Sequence, residues 1–291
     1  MAFQNTPLQQ RSWYGAMVAA LGILASTGPA LCEELDITKY KLTFSEEFDK
    51  LSVSAWGPAG PGGSRWIAHT PWAGDFGDAR FADPKPGFPF TTKNGILSIE
   101  ARKGDDGIWQ SGLLASADPQ GRGFHQKFGY FEMRAKLPPG AGLWSAFWLI
   151  ANQDPDTSAE VDVLEHYGVA PDKYQAVPHV WAKTDKGKPY GEILTFDVPY
   201  GSLYADFHTY GVSIEEDWTT FYHDRKAMGR IKTPVEYHRP MFILLNLALG
   251  GGWPIDKTPN PSVMLVDYVK AYQLKAPEEG QPKPRLIPSA D

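Results

Sequence analysis

The chain has 291 residues, 42% hydrophobic and 13% aromatic, enough to bury one large core in a single globular domain. A formal net charge of -6 leaves no basic stripe and argues against nucleic acid as a partner. Twenty-nine Gly and 25 Pro, scattered rather than periodic, mark frequent turns, and Cys32, the single cysteine, rules out an intrachain disulfide.

In chain order, residues 12–31 carry no charge, follow Arg11, and run from an apolar stretch into small residues and Pro29. This is the pattern of a signal peptide, with cleavage after Cys32 leaving small residues, Ala30 and Cys32, at the minus-three and minus-one positions. An uncleaved membrane anchor ranks second, because the uncharged run is about long enough to cross a bilayer. Residues 1–32 are therefore read as an export signal and 33–274 as the folded domain. Residues 275–291, with four prolines and mixed charge, read as a disordered tail. A secreted or periplasmic monomer is expected, with no stable membrane association after processing.

From about residue 42 to 274 the pattern is of strands separated by turn clusters, without a sustained helical period. In residues 130–137, Phe131, Met133, Ala135 and Leu137 alternate with Glu132, Arg134 and Lys136, which predicts a half-buried strand. Residues 143–150 predict another, with Trp144, Ala146 and Trp148 on one face and Leu143, Phe147 and Leu149 on the other. Residues 242–249 are almost wholly apolar and predict a central strand, and 263–274 a further one. Turn signals recur at Asn94-Gly95, Asp106-Gly107, Lys186-Gly187 and the glycine run 250–252. Strands at this density predict an all-β fold, an antiparallel sandwich or jelly roll.

The sharpest chemical signal is the run Ser158-Ala159-Glu160-Val161-Asp162-Val163-Leu164-Glu165-His166. On a regular strand Glu160 and Asp162 share a face, and Glu165, an odd number of positions away, takes the other. A β-bulge at Val163-Leu164 restores the parity and lines up all three acids. About four paired steps of ~3.3 Å then separate the two Glu backbones, and inward-leaning side chains bring the carboxyls toward the ~5–5.5 Å of retaining glycosidases. Three neighbouring carboxylates cannot all ionise cheaply, so the cluster holds a proton near neutral pH. Glycoside hydrolysis needs this: one carboxylate attacks the anomeric carbon and a protonated one assists the leaving oxygen, while a middle Asp can share a proton. The competing view, a solvated edge strand, sits poorly with three acids among Val and Leu. A divalent-cation site made by the acids lacks the loop and oxygen-rich spacing such a site needs.

At these residues the sequence resembles glycoside hydrolase family 16, the laminarinase-like retaining endo-β-glucanases. The resemblance runs through the motifs at 42–49, 129–137, 142–149, the acid run, 207–211 and Asn246-Leu247-Ala248-Leu249-Gly250-Gly251-Gly252-Trp253-Pro254. It implies a jelly-roll β-sandwich of two bent antiparallel sheets with a concave substrate cleft. It also implies Glu160 as nucleophile, Asp162 as helper and Glu165 as general acid/base, in the bulged branch of the family. The same resemblance places His179, Asn246 and Trp253 in the cleft. It implies a structural calcium held by the Glu47 and Gly95 carbonyls and the Asp267 carboxylate, with no cofactor for catalysis. Trp144 and Trp148 share a face of the preceding strand and offer flat surfaces for pyranose rings, against the alternative of core packing. Residues 66–79, beginning at Trp66 and including Trp72, resemble the loop of rhizobial endoglycanases that shorten succinoglycan, a branched acidic exopolysaccharide, and this resemblance implies Trp66 as a substrate-binding residue. The expected function is a secreted endo-β-glycanase acting on β-1,3 or mixed β-1,3/1,4 linkages of a polysaccharide. The alternatives are a non-catalytic β-glucan-binding module, which loses the acids, and a transglycosylase using the same nucleophile.

Overall fold

The computed structural model describes residues 34–72 and 74–276. The expected signal segment and all but the first two residues of the expected tail lie outside this range. Among the described residues no helix is long and apolar enough to cross a membrane.

The strands, in chain order, are β1 (Tyr40–Glu46), β2 (Val53–Ser54), β3 (Trp66–Ile67), β4 (Arg80–Phe81), β5 (Phe90–Lys93), β6 (Ile96–Lys103), β7 (Trp109–Ser111) and β8 (Leu113–Ala115). The long central strands follow: β9 (Gly129–Lys136), β10 (Leu143–Ala151), β11 (Thr157–Tyr167) and β12 (Lys173–Ala182). The chain continues with β13 (Tyr190–Gly191), β14 (Leu194–Asp197), β15 (His208–Ile214), β16 (Trp218–His223), β17 (Lys226–Lys232), β18 (Phe242–Leu249) and β19 (Ser262–Leu274). One sheet runs β17-β16-β15-β9-β19-β6-β7-β4, with β1 on β19 and β5 on β6; the other runs β13-β12-β11-β10-β18-β8-β3-β2, with β14 on β12. The expected all-β jelly roll is the fold found. Two short edge pairs, β2 with β3 and β4 with β7, are parallel, so the sheets are mixed at their rims rather than wholly antiparallel.

Period-two patterning decides which side chains fill the interior. Phe147 and Leu149 of β10, Ile243, Leu245 and Leu247 of β18, and Met133 and Val269 of the facing sheet are fully buried in one cluster between the sheets. Each such side chain contributes roughly 1.5–3 kcal/mol. Asn94 and Gly95, both at positive φ, form the tight turn joining β5 to β6. That is the conformation an Asn-Gly pair favours.

β9 departs from its half-buried reading. Glu132 is fully buried, clamped by Arg225 through two bonds of 2.9 Å, and it accepts from the Tyr130 and Tyr268 hydroxyls at 2.7 and 2.8 Å. The turn carrying Arg225 folds over the outer face of the sheet and supplies the charge that makes a buried carboxylate tolerable.

Candidate active site

The parity conflict in the acid run is resolved by a bulge. Along β10, Ile150 pairs with Glu160, Trp148 with Asp162 and Ala146 with Glu165, while the register shifts between Phe147 and Trp148. Positions 146, 148 and 150 share a face of β10, so the three acids share the corresponding face of β11. The extra residue has a packing cause. Val163 and Leu164 are consecutive, yet both are buried in the core between the sheets, which an unbulged strand cannot arrange.

Each glutamate receives an indole N–H. Trp144 Nε1 donates to Glu165 Oε1 at 3.0 Å, with the Tyr167 hydroxyl at 3.4 Å from the same oxygen. Trp181 Nε1 donates to Glu160 Oε2. The Tyr237 hydroxyl donates to the Glu160 carbonyl at 2.8 Å, fixing the backbone beneath that side chain. Asp162 lies between the two glutamates with His179 Nε2 at 3.5 Å from its Oδ2.

Burial governs the electrostatics. It pushes Glu160 up to about 7, against the opposing Trp181 bond and with the Glu165 charge adding to the rise. Burial raises Glu165 as well, opposed by its bonds to Trp144 and Tyr167. Asp162 is raised well above the carboxylate range by burial and then by the charges of both glutamates. His179 is pushed down to about 4 by burial, so at neutral pH it brings no positive charge to the cluster. Asp162, flanked by two acids and a neutral imidazole, is a natural holder of a proton, and the indole donors oppose the rise at each glutamate without cancelling it, so Glu165 too can carry a proton.

The sequence and the fold together decide the family. The model of glycosyl hydrolases family 16 matches residues 89–270. The chain belongs to this family. It is 32% identical over 265 residues to two Rhizobium meliloti proteins named endo-1,3-1,4-beta-glycanase, ExsH and EglC, across 83% of this chain and 54% of each of theirs. The chain thus spans about half the length of these curated relatives. A non-specific endo-beta-1,3(4)-glucanase co-crystallised with 1,3-beta-D-cellobiosyl-cellobiose superposes with a TM-score of 0.62 at 26% identity, over 83% of this chain and 98% of that one. The laminarinase catalytic domain of Thermotoga maritima shares the fold, with a TM-score of 0.60 at 22% identity over 81% of this chain and 99% of that one.

Within this family-16 scaffold the other expected site residues separate into three groups. Trp144, His179 and Trp253 border the acids: Trp144 stacks on Tyr167 at 5.7 Å, Tyr167 meets Trp253 at 6.5 Å, and Trp253 is 47% exposed. Trp148 and Asn246 lie on the acid-bearing face but are covered. Trp148 Nε1 donates to Asn246 Oδ1 at 2.9 Å, and the Trp72 and Phe76 rings roof Trp148 at 6.0 and 5.9 Å. Trp66 is a correction. It is fully buried between the sheets, donates to Glu46 Oε2 at 3.0 Å and meets Phe44 edge-on, because its alternation turns it away from the cleft face that Ile67 occupies.

The roof has a wider effect. Ile67, Ala115, Phe242 and Leu244, all on the cleft face, are buried with Trp148 in one apolar cluster, against which Trp72 and Phe76 pack. The open part of the face is therefore a stripe along β11 and β12, from Trp253 and Tyr167 past the acids to Trp181, which is 46% exposed. Sequence reasoning missed Trp181, Tyr167 and Tyr237. Parity could have found the first two, since Trp181 is two residues from His179 and Tyr167 two from Glu165. Nothing local marks Tyr237.

The expected calcium set meets only in part. A Cβ on Gly95 would stand 3.4 Å from the Glu47 carbonyl oxygen, so those two segments adjoin. The Asp267 carboxylate, however, is bound by the Arg134 guanidinium. A dication needs that negative charge for itself and is repelled by the adjacent guanidinium. The set does not fit calcium as placed.

Proposed function

We propose that this chain is a retaining endo-β-glycanase that hydrolyses β-1,3 or mixed β-1,3/1,4 linkages within a polysaccharide. The observation that carries the reading is the bulge at Val163-Leu164, which sets Glu160, Asp162 and Glu165 on one open face with an indole donor at each glutamate. Ionised Glu160 attacks the anomeric carbon and forms a glycosyl-enzyme, while Glu165 delivers its proton to the departing oxygen. Glu165 then takes a proton from water as that water releases the sugar. Asp162 keeps a proton beside the nucleophile, which lowers the charge crowding each time Glu160 ionises. The names of the Rhizobium meliloti relatives support the linkage class, and a bacterial exopolysaccharide such as succinoglycan is the favoured natural polymer. The uncharged run after Arg11 supports export, with a mature terminus at or near Glu33.

The deciding experiment follows products of the mature protein on laminarin, mixed-linkage β-glucan and succinoglycan, with anomeric configuration read by proton NMR. Viscosity falls before many reducing ends appear, and the first products keep the β configuration. Glu165→Gln lowers kcat by about 10²–10⁴-fold with the fold intact, and Glu160→Gln is at least as damaging. Near-native turnover in either variant, inverted products, or monosaccharide released from chain ends as the main product would each overturn the reading.

A further inference from the structure

A second cluster of histidine and carboxylate lies on the sheet that does not carry the acids. In β15, His208 shares the core-side face with Tyr210 and Val212, and in β16 His223 shares it with Phe221. Tyr210 pairs with His223, and Asp224 follows in the tight turn to β17, at φ 48°. That turn is pinned to β15, because Asp224 N donates to the Thr209 carbonyl at 2.8 Å and Asp224 Oδ1 accepts from Thr209 N at 2.9 Å. The two imidazoles stack with their centroids 4.9 Å apart. They converge on one oxygen: His208 Nδ1 is 2.8 Å and His223 Nε2 3.6 Å from Asp224 Oδ2. One ligand atom from each of the three residues lies within 4.8 Å of the others.

Hydrogen bonding accounts for only part of this arrangement. The Ser202 carbonyl, 3.2 Å from His208 Nε2, can only accept, so that nitrogen carries the ring proton. In the neutral tautomer Nδ1 then turns a bare lone pair on the Asp224 carboxylate, and an imidazole fixed in this way by a backbone carbonyl is the form that ligates metals. A proton on Nδ1 would also satisfy that contact, but it does nothing for His223. Among the described residues His223 makes no hydrogen bond: Nδ1 is buried without a partner, and Nε2 stands 3.6 Å from Asp224 Oδ2. The Tyr174 and Tyr210 rings pack on it at 5.5 Å, and their hydroxyls are buried unpaired as well. Polar groups left over inside a protein in this way point to a bound ion or water. Zinc holds nitrogen and oxygen at about 2.0–2.2 Å, so two ligand atoms on one tetrahedral ion stand about 3.3–3.6 Å apart. The observed 2.8 and 3.6 Å need only small side-chain rotations. Asp224, its side chain 45% exposed, leaves a fourth position open to solvent. Arg225, next in the chain, is committed to Glu132 on the outer face, and Lys226, whose charge reaches His223, opposes a cation and keeps the affinity moderate.

We propose that His208, His223 and Asp224 form a binding site for one divalent transition-metal ion of zinc's class. Two imidazoles and a carboxylate suit zinc and its neighbours, and not calcium or magnesium, which take oxygen. The ion ties the β16–β17 turn to β15 where Tyr174 of β12 packs across from the other sheet. It acts as a cross-link in a chain that can form no intrachain disulfide, and it stands apart from the glycanase reading, because both strands belong to the sheet that lacks the acids.

The test adds zinc chloride to the full chain after EDTA treatment and dialysis. Titration calorimetry shows one ion per chain with Kd on the order of 1–10 µM. At about 0.1 mM zinc this raises Tm by about 3–8 °C. Binding of that strength is reversed by dilution into metal-free buffer, so EDTA by itself moves Tm little. Calcium at the same concentration gives no rise. His223→Phe keeps a ring packed against Tyr174 and Tyr210, removes both nitrogens and cuts the zinc-dependent rise to within about 1 °C. Asp224→Asn retains an acceptor for Thr209 N and tolerates the positive φ, and it weakens zinc binding at least about tenfold. A wild-type Tm that zinc leaves unmoved, a rise undiminished in either variant, or an equal response to calcium would overturn the proposal.

Discussion

Trp181→Phe keeps a flat ring beside the acids and removes one N–H. That N–H bonds the Glu160 carboxylate and is the group opposing the upward push of burial. A hydrogen bond to a charged acceptor is worth about 1.5–3 kcal/mol, and with Trp181 46% exposed the lower end applies. At 1.36 kcal/mol per pKa unit, the carboxyl gains about one unit. Glu160 must be ionised to attack, so a higher pKa moves the acid limb of kcat/KM to higher pH. The assay is kcat/KM on mixed-linkage β-glucan from pH 4 to 9, a quantity that reports groups of the free enzyme. The wild-type acid limb falls near the value of about 7 to which burial pushes Glu160. In Trp181→Phe it moves about one unit up. An acid limb that stays put or moves down would refute the argument. A change in KM alone would reduce Trp181 to a stacking surface.

Two further outcomes follow from the same geometry. Because burial raises Glu160 to about 7, folding favours its protonated form; that contribution is present at pH 4 and is lost as pH rises through 7. Glu160→Gln, neutral throughout, should therefore melt several degrees above wild type at pH 8 and within about 1 °C of it at pH 4, by calorimetry; a wider gap at the lower pH would reverse the sign. For the calcium set, Arg134 already satisfies Asp267. Adding millimolar calcium or EDTA should leave Tm within about 1 °C, and a clear calcium-dependent rise would show that the cation displaces the guanidinium.

Much of this was legible because alternation in a strand is a local property. Residues 242–249 read as a central strand, and β18 spans them with every residue buried. The bulge was legible for a sharper reason: three acids that chemistry needs together had the wrong parity, and one extra residue was the smallest repair. Long-range burial was not legible. Glu132 alternates like a surface residue, and its closest ionic partner lies 93 positions away at Arg225. Trp66 stands in a loop-like context rich in Gly and Pro, yet its partner Glu46, on β1, draws it inward. Trp148 and Asn246 show a third limit. Strand parity gives the correct face, and only the segment bearing Trp72 and Phe76 reveals that the face is covered there.

That covering segment keeps two kinds of change apart. The acids, the bulge and the indole donors all belong to β10, β11 and β12, where a one-residue shift would scatter them. Among the described residues the roof meets the sheet through aromatic edges and a bond from Asp78 N to the carbonyl of Leu249, on the neighbouring β18, at 2.8 Å. It can be lengthened, shortened or exchanged at the cost of re-covering a patch of apolar floor. Changes placed in residues 70–78 should therefore leave the acid geometry intact far more readily than changes placed in the strands themselves.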